Sequence, residues 1–97
     1  MAEYTLVITK EAEFDLANLY DDGFKRWGEA QTDKYYDDLL GHFDALCDNP
    51  YLYRAVEEIR AGYRRSVCGK HTVFYQIADN AVRVVALVKR ENRYSGR

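Results

Sequence analysis

The sequence predicts an α+β fold: an antiparallel helical hairpin packed on a small antiparallel sheet, in the order β-α-α-β-β-β. Three observations predict it. The first half holds two stretches with apolar residues at helical spacing, separated by Trp27-Gly28. The second half switches to strand-like alternation, punctuated by Gly69-Lys70 and Asp79-Asn80. Charge divides along the same line. Residues 1–53 carry 4 Lys/Arg against 12 Asp/Glu, and residues 54–97 carry 10 against 4, beneath a net charge of only −2. An acidic hairpin therefore faces a basic meander running from about residue 59 to residue 88.

Residues 4–9, Tyr-Thr-Leu-Val-Ile-Thr, are β-branched and aromatic and read as a strand. Thr9 then offers a helix N-cap, with Glu11 and Glu13 in the first turn, where the helix dipole favours anions. Ala12, Leu16, Leu19, Tyr20 and Gly23 share one face of that helix, and Phe14, Ala17 and Phe24 widen the stripe. Asp21-Asp22-Gly23 weakens the helix towards its end. A second helix begins after Gly28. It carries Tyr36, Leu39, Leu40, Phe43, Leu46 and Cys47 inward and stops at Asp48-Asn49-Pro50, because the residue before proline disfavours the α region. A connection this short makes the two helices antiparallel neighbours.

The strands follow. Residues 60–68 read as one, and Gly69-Lys70 as a two-residue turn with glycine first. Residues 71–77 form the next, with Val73, Tyr75 and Ile77 on one face. Asp79-Asn80 turns the chain into residues 82–88. There Val82, Val84, Ala86 and Val88 are expected on one face and Arg83, Val85, Leu87 and Lys89 on the other. Apolar on both sides, this strand reads as interior. The opening strand joins the same sheet. One sheet face packs on the helices and the other is left uncovered.

At 97 residues the chain is expected to be one domain, 1–97, with residues 89–97 a mobile basic tail. No apolar run reaches the length of a membrane span, and the first residues lack a signal-peptide pattern, so a cytoplasmic protein is expected. Cys47 and Cys68 read as free thiols. His42 and His71 stand alone, without metal-ligand spacing. Neither a metal nor a cofactor is expected.

Several of these residues, in this order, resemble a known family. Ala12 with Asp15-Leu16 and Leu19, Trp27-Gly28 with Ala30 and Tyr35, and Leu46 with Asn49-Pro50 match the first half of the pattern. Ile59-Arg60-Ala61-Gly62-Tyr63-Arg64-Arg65 resembles its Arg-x-Gly-Tyr-Arg strand, and Gly69, His71 and Val73-Phe74-Tyr75 its Gly-x-His-x-Val-Phe-Tyr strand. Together they resemble the ParE branch of the RelE/ParE toxins of bacterial toxin–antitoxin pairs. Two positions depart: Tyr53 stands where the family usually has glycine, and the stretch from Leu87 to Tyr94 replaces the Leu-His and Met-Asp ending of many ParE toxins. Lys89-Arg90 followed by Tyr94 is closer to the RelE branch.

The resemblance implies a toxin without a catalytic site that binds DNA gyrase and blocks replication. It implies neutralisation by a cognate, ParD-like antitoxin whose disordered segment folds on binding. Under it, Leu16, Tyr20, Phe24 and Trp27 are the candidate antitoxin contacts. Arg64, Arg65, Arg90 and Arg93 are the candidate target contacts. No membrane and no sequence-specific nucleic-acid partner is expected. Resemblance to RelE instead implies ribosome-dependent mRNA cleavage, with Arg64, Arg90 and Tyr94 as the candidate catalytic set. A net acidic chain suits docking on ribosomal RNA poorly. A binding module without toxicity is the third reading.

Overall fold

The computed structural model describes residues 4–90. The order is β1 (Thr5–Ile8), α1 (Lys10–Trp27), α2 (Glu29–Asp48), β2 (Tyr63–Cys68), β3 (His71–Ala78) and β4 (Ala81–Lys89). The strands form one sheet in the order β1-β4-β3-β2. The meander β2-β3-β4 is antiparallel, as its short turns require, and β4 is interior. β1 lies at the edge and runs parallel to β4, so the whole sheet is mixed. No described helix is long and apolar enough to cross a membrane.

Local chemistry sets the boundaries. Thr9 caps α1: its Oγ1 accepts from the Ala12 amide at 3.2 Å and donates to the Val84 carbonyl at 3.0 Å, tying the helix start to β4. Gly28 alone joins the helices. At φ +87 it closes α1 on the Phe24 carbonyl and opens α2 by accepting from the Thr32 amide, a conformation that disfavours residues with a Cβ. The pairs Tyr20–Asp33 and Tyr20–Tyr36 across this joint show the helices to be antiparallel. Asp21-Asp22-Gly23 does not end α1. Gly23 is buried against Thr32, and that contact carries the helix on to Trp27.

The core lies between the hairpin and one sheet face. Ala12 and Leu16 of α1 and Leu39, Phe43 and Leu46 of α2 meet Val73, Tyr75, Val82, Val84 and Leu87 of the sheet. The Tyr75 hydroxyl satisfies its burial by donating to the Pro50 carbonyl at 2.6 Å. On the opposite face Val67 and Val88 lie in one row across Thr72, both exposed. Phe14 and Phe24 are exposed rather than widening the buried stripe.

Two strand expectations need correction. β2 begins at Tyr63, not at residue 60: Arg60 to Gly62 belong to a turn closed by the Tyr63 amide on the Arg60 carbonyl at 3.1 Å, and Gly62 has φ +82. The inward face of β4 also changes partway. Tyr75 pairs with Val84 but Phe74 pairs with Ala86, so Val85 is an extra residue in the strand. Past this bulge Leu87 is buried, while Val88 is half exposed. The Asp15 carboxylate of α1 accepts from the Leu87 amide at 3.0 Å, which holds the shifted backbone from the helix side.

Candidate partner-binding surfaces

The hairpin tip stands off the sheet and leaves a groove of about 460 Å³ beneath it. Leu19, Gly23 and Trp27 of α1, Thr32 and Tyr35 of α2, and Lys70, His71, Leu87 and Lys89 of the sheet are among its walls. A groove of that size is in the range of sites that bury a ligand or a partner's side chain.

One hydroxyl organises its base. Tyr35 Oη accepts from the Lys70 amide at 2.9 Å, donates to the Cys68 carbonyl at 3.2 Å and lies 2.7 Å from His71 Nδ1. The β2–β3 turn is thus fastened to α2. Gly69 makes this possible: it has φ +59, and a Cβ there would stand 2.6 Å from Tyr35 Cε1. Burial pushes the Tyr35 hydroxyl above its ordinary value and His71 below its own, with Lys89 adding to the effect on His71 and Asp15 opposing it. Both groups stay neutral near pH 7. On the far side of α2, His42 Nε2 lies 2.7 Å from Ser66 Oγ of β2, and burial lowers its pKa too. The two cysteines are free thiols, and burial pushes both up, which makes them poor nucleophiles.

These histidines set a pH dependence. Each is depressed in the folded chain, so the unfolded chain binds more protons in the window below the ordinary value of 6.5. Their contribution is complete above 6.5 and is lost as pH falls through the folded values. The urea midpoint is expected to fall from about pH 7.5 to about pH 5, and His42→Gln with His71→Gln is expected to flatten that slope.

The four candidate antitoxin contacts fall into three environments. Leu16 is 4 % exposed and belongs to the core, so it offers a partner almost no surface. Tyr20 and exposed Phe24 are neighbours on α1; Tyr20 meets Tyr36, which packs against the core, edge-on at 5.7 Å and donates to Asp33 at 2.5 Å. Trp27 is 44 % exposed at the groove, where Lys70 Nζ stands 5.0 Å from its ring centroid.

The candidate arginines are also dispersed. Arg64 is half-buried: its Nη1 donates to the Tyr53 carbonyl at 2.6 Å, and its guanidinium lies 5.0 Å from the Tyr51 ring. It clamps the segment after α2 against β2. Arg65, the next residue, is exposed on the opposite sheet face beside Phe74. Arg90 follows β4, with its amide on the Lys70 carbonyl and its side chain 3.4 Å from the Gly69 carbonyl. Five residues of extended chain separate Arg64 from Gly69, about 16 Å, so Arg64 and Arg90 do not converge on one phosphate. Arg93 and Tyr94 lie outside the described residues, as does most of the segment expected to be a mobile tail. Arg64→Ala is expected to cost about 1–2 kcal/mol in urea unfolding, and Arg64→Lys to recover little of it, because lysine lacks the planar fork.

Thr32, Tyr35, Lys70 and Lys89 were not singled out as site residues by the sequence. The nearest signals were the Gly69-Lys70 turn, which draws β2 and β3 close, and Tyr35 and His71 within the family pattern.

A fold of this order, with Trp-Gly at the joint and Asp15 on the bulge, has relatives. The family model for the ParE toxin of type II toxin–antitoxin systems, parDE, matches residues 6–94. The chain belongs to the ParE toxin family. Toxin ParE1 of Mycobacterium tuberculosis is 35 % identical over 71 residues, covering 73 % of this chain and 72 % of that one. Toxin ParE1 of Caulobacter vibrioides is 31 % identical over 70 residues, covering 72 % and 73 %. Among solved structures, one of a chromosomal ParDE system from P. aeruginosa superimposes with a TM-score of 0.80 at 15 % identity, over 92 % of this chain and 98 % of that one. The RelBE2 toxin–antitoxin complex of Mycobacterium tuberculosis gives 0.70 at 20 % identity, over 93 % and 94 %. These likenesses show a shared fold.

Proposed function

We propose that this chain, as a ParE-type toxin, acts on DNA gyrase in the cytoplasm, arrests replication without catalysing a reaction of its own, and is held inactive by a cognate antitoxin. The observation that carries the reading is the family match over residues 6–94, together with relatives named Toxin ParE1 over about three quarters of the chain. Two structural facts support it. The arginines required for RNA cleavage under the RelE reading are held apart, with Arg64 fixed on the Tyr53 carbonyl. The open sheet face offers an apolar row, Val67 and Val88, beside exposed Arg65, a combination suited to a protein surface. Of the candidate target contacts, Arg65 therefore takes that role, while Arg64 maintains the fold.

Pulse labelling separates the possibilities. On induction in growing cells, DNA synthesis is expected to stop before protein synthesis, and co-expression of the antitoxin is expected to restore growth. Arrest of translation first would favour the ribosome as target; unimpaired growth would favour a non-toxic binding module.

A further inference from the structure

A second hollow, of about 310 Å³, lies at the turn between β2 and β3 and is lined by Gly69, Lys70, Lys89 and Arg90. The sheet brings these residues together. Lys89 pairs with His71 across the ladder, and the Arg90 amide donates to the Lys70 carbonyl at 2.8 Å. The turn is fixed from the helix side, because the Lys70 amide donates to Tyr35 Oη at 2.9 Å. Three exposed cations thus share one hollow with no carboxylate in its lining. The aspartates of the larger groove do not line it, and none of the three cations forms an ion pair among the described residues. In sequence, residues 91–97 add two arginines against one glutamate, so they raise the charge rather than offset it.

The lining selects a phosphate backbone over a protein. Protein interfaces are centred on apolar anchors, and this hollow has none. A guanidinium fork beside two ammonium groups is suited to phosphate oxygens, and such contacts form whatever the base sequence. The rest of the chain sets the orientation. Residues 1–53, with 12 Asp/Glu against 4 Lys/Arg, repel a polyanion, which turns the sheet end towards it. The exposed row of Val67 and Val88 lies at that same end, since Val88 adjoins Lys89 and Val67 closely precedes Gly69.

We propose that Lys70, Lys89 and Arg90 grip the sugar-phosphate backbone of duplex DNA, independently of its sequence. The grip rests on the gyrase reading above and adds to it a direct contact with the DNA that gyrase holds. Val67, Val88 and Arg65 meet the enzyme's protein surface, and the three cations beside them meet its DNA. RNA carries the same phosphates, but Arg64, which an RNA-cleaving site would need beside Arg90, is held away on the Tyr53 carbonyl, so DNA is the favoured occupant.

Fluorescence anisotropy of a labelled DNA duplex, titrated with the purified chain at low salt, tests this directly. Three phosphate contacts predict that a fourfold rise in salt weakens binding by about 40-fold. The triple variant Lys70→Gln, Lys89→Gln, Arg90→Gln is expected to bind at least tenfold more weakly, with most of the salt dependence gone and the thermal midpoint unchanged, since all three side chains are exposed. Lys10→Gln, Lys25→Gln, Arg60→Gln makes the same change in net charge at other exposed positions and is expected to keep most of the affinity. In the gyrase assay with supercoiled plasmid, the first variant is expected to be captured by gyrase yet to accumulate at least tenfold less cleaved plasmid than wild type. Equal losses in the two triple variants, or no duplex binding by wild type at low salt, would overturn the proposal. So would tighter binding to single-stranded RNA of the same sequence, or equal binding to polyglutamate of the same charge. Wild type that binds the duplex but yields no cleaved plasmid would instead overturn the gyrase reading and leave the DNA grip standing.

Discussion

Phe43→Ala is expected to remove about 3–5 kcal/mol of stability. Phe43 is fully buried where α2 packs on the sheet. Truncation loses its transfer free energy and leaves a cavity that neighbours bonded into β3 and β4 cannot close. A chain of this size is stable by only about 5–15 kcal/mol, so the loss is a large fraction of the total. The urea midpoint should fall sharply with the slope unchanged, and growth inhibition should weaken in proportion to the folded fraction. Phe14→Ala is the control. Phe14 is 68 % exposed, and its truncation should change stability by less than about 0.5 kcal/mol. Sequence spacing groups Phe14 with the buried stripe of α1, so the pair also measures where that stripe ends.

Gly69→Ala is expected to cost about 3 kcal/mol, from two sources. Holding alanine at φ +59 costs about 1–2 kcal/mol. The new Cβ must also displace the Tyr35 ring, breaking contacts to the Lys70 amide, His71 and the Cys68 carbonyl. The second part belongs to the pair. Tyr35→Ala, which clears the ring, should therefore make the Gly69 substitution cheaper, and a double-mutant cycle should return a coupling of about 1–2 kcal/mol. Additive costs would mean that Tyr35 does not press on the turn. Because Lys70 follows Gly69, the variant should also alter Trp27 emission, whereas Phe43→Ala in the still-folded chain should not.

Caps and tight turns are legible in the sequence because their physics is local. The Thr9 cap, the Gly28 joint, and the turns at Gly69-Lys70 and Asp79-Asn80 each follow from the conformational preferences of the residues present. Asp79 and Asn80 both take positive φ, as a tight hairpin turn requires. Features that depend on distant partners were not legible. Val82, Val84, Ala86 and Val88 alternate without a break, and nothing near them announces a bulge at Val85. The groups that brace it, Thr9 and Asp15, bond to residues 75 and 72 positions later in the chain. Asp15 was visible only as part of a family pattern, and the fold now gives it a reason.

The site was less legible than the fold. Leu16, Tyr20 and Phe24 are spaced by four, which places them near one face, yet each step drifts by about 40° because a turn takes 3.6 residues. Over two steps that drift carries the stripe from the core at Leu16 to the outer face at Phe24. Arg64 and Arg65 are adjacent in sequence, and a strand sends adjacent side chains to opposite faces. One therefore clamps a loop, and the other faces solvent. The groove joins the hairpin tip to the ends of β3 and β4, three places the sequence keeps far apart.

Gyrase and the ribosome separate as targets in one assay. Purified chain is incubated with gyrase, ATP and supercoiled plasmid, and in parallel with translating ribosomes and end-labelled mRNA. Accumulation of protein-linked cleaved plasmid, suppressed by antitoxin, with intact mRNA, is the predicted result. Codon-specific cuts in the mRNA with no cleaved plasmid would contradict the account and return the chain to the ribonuclease side of its superfamily.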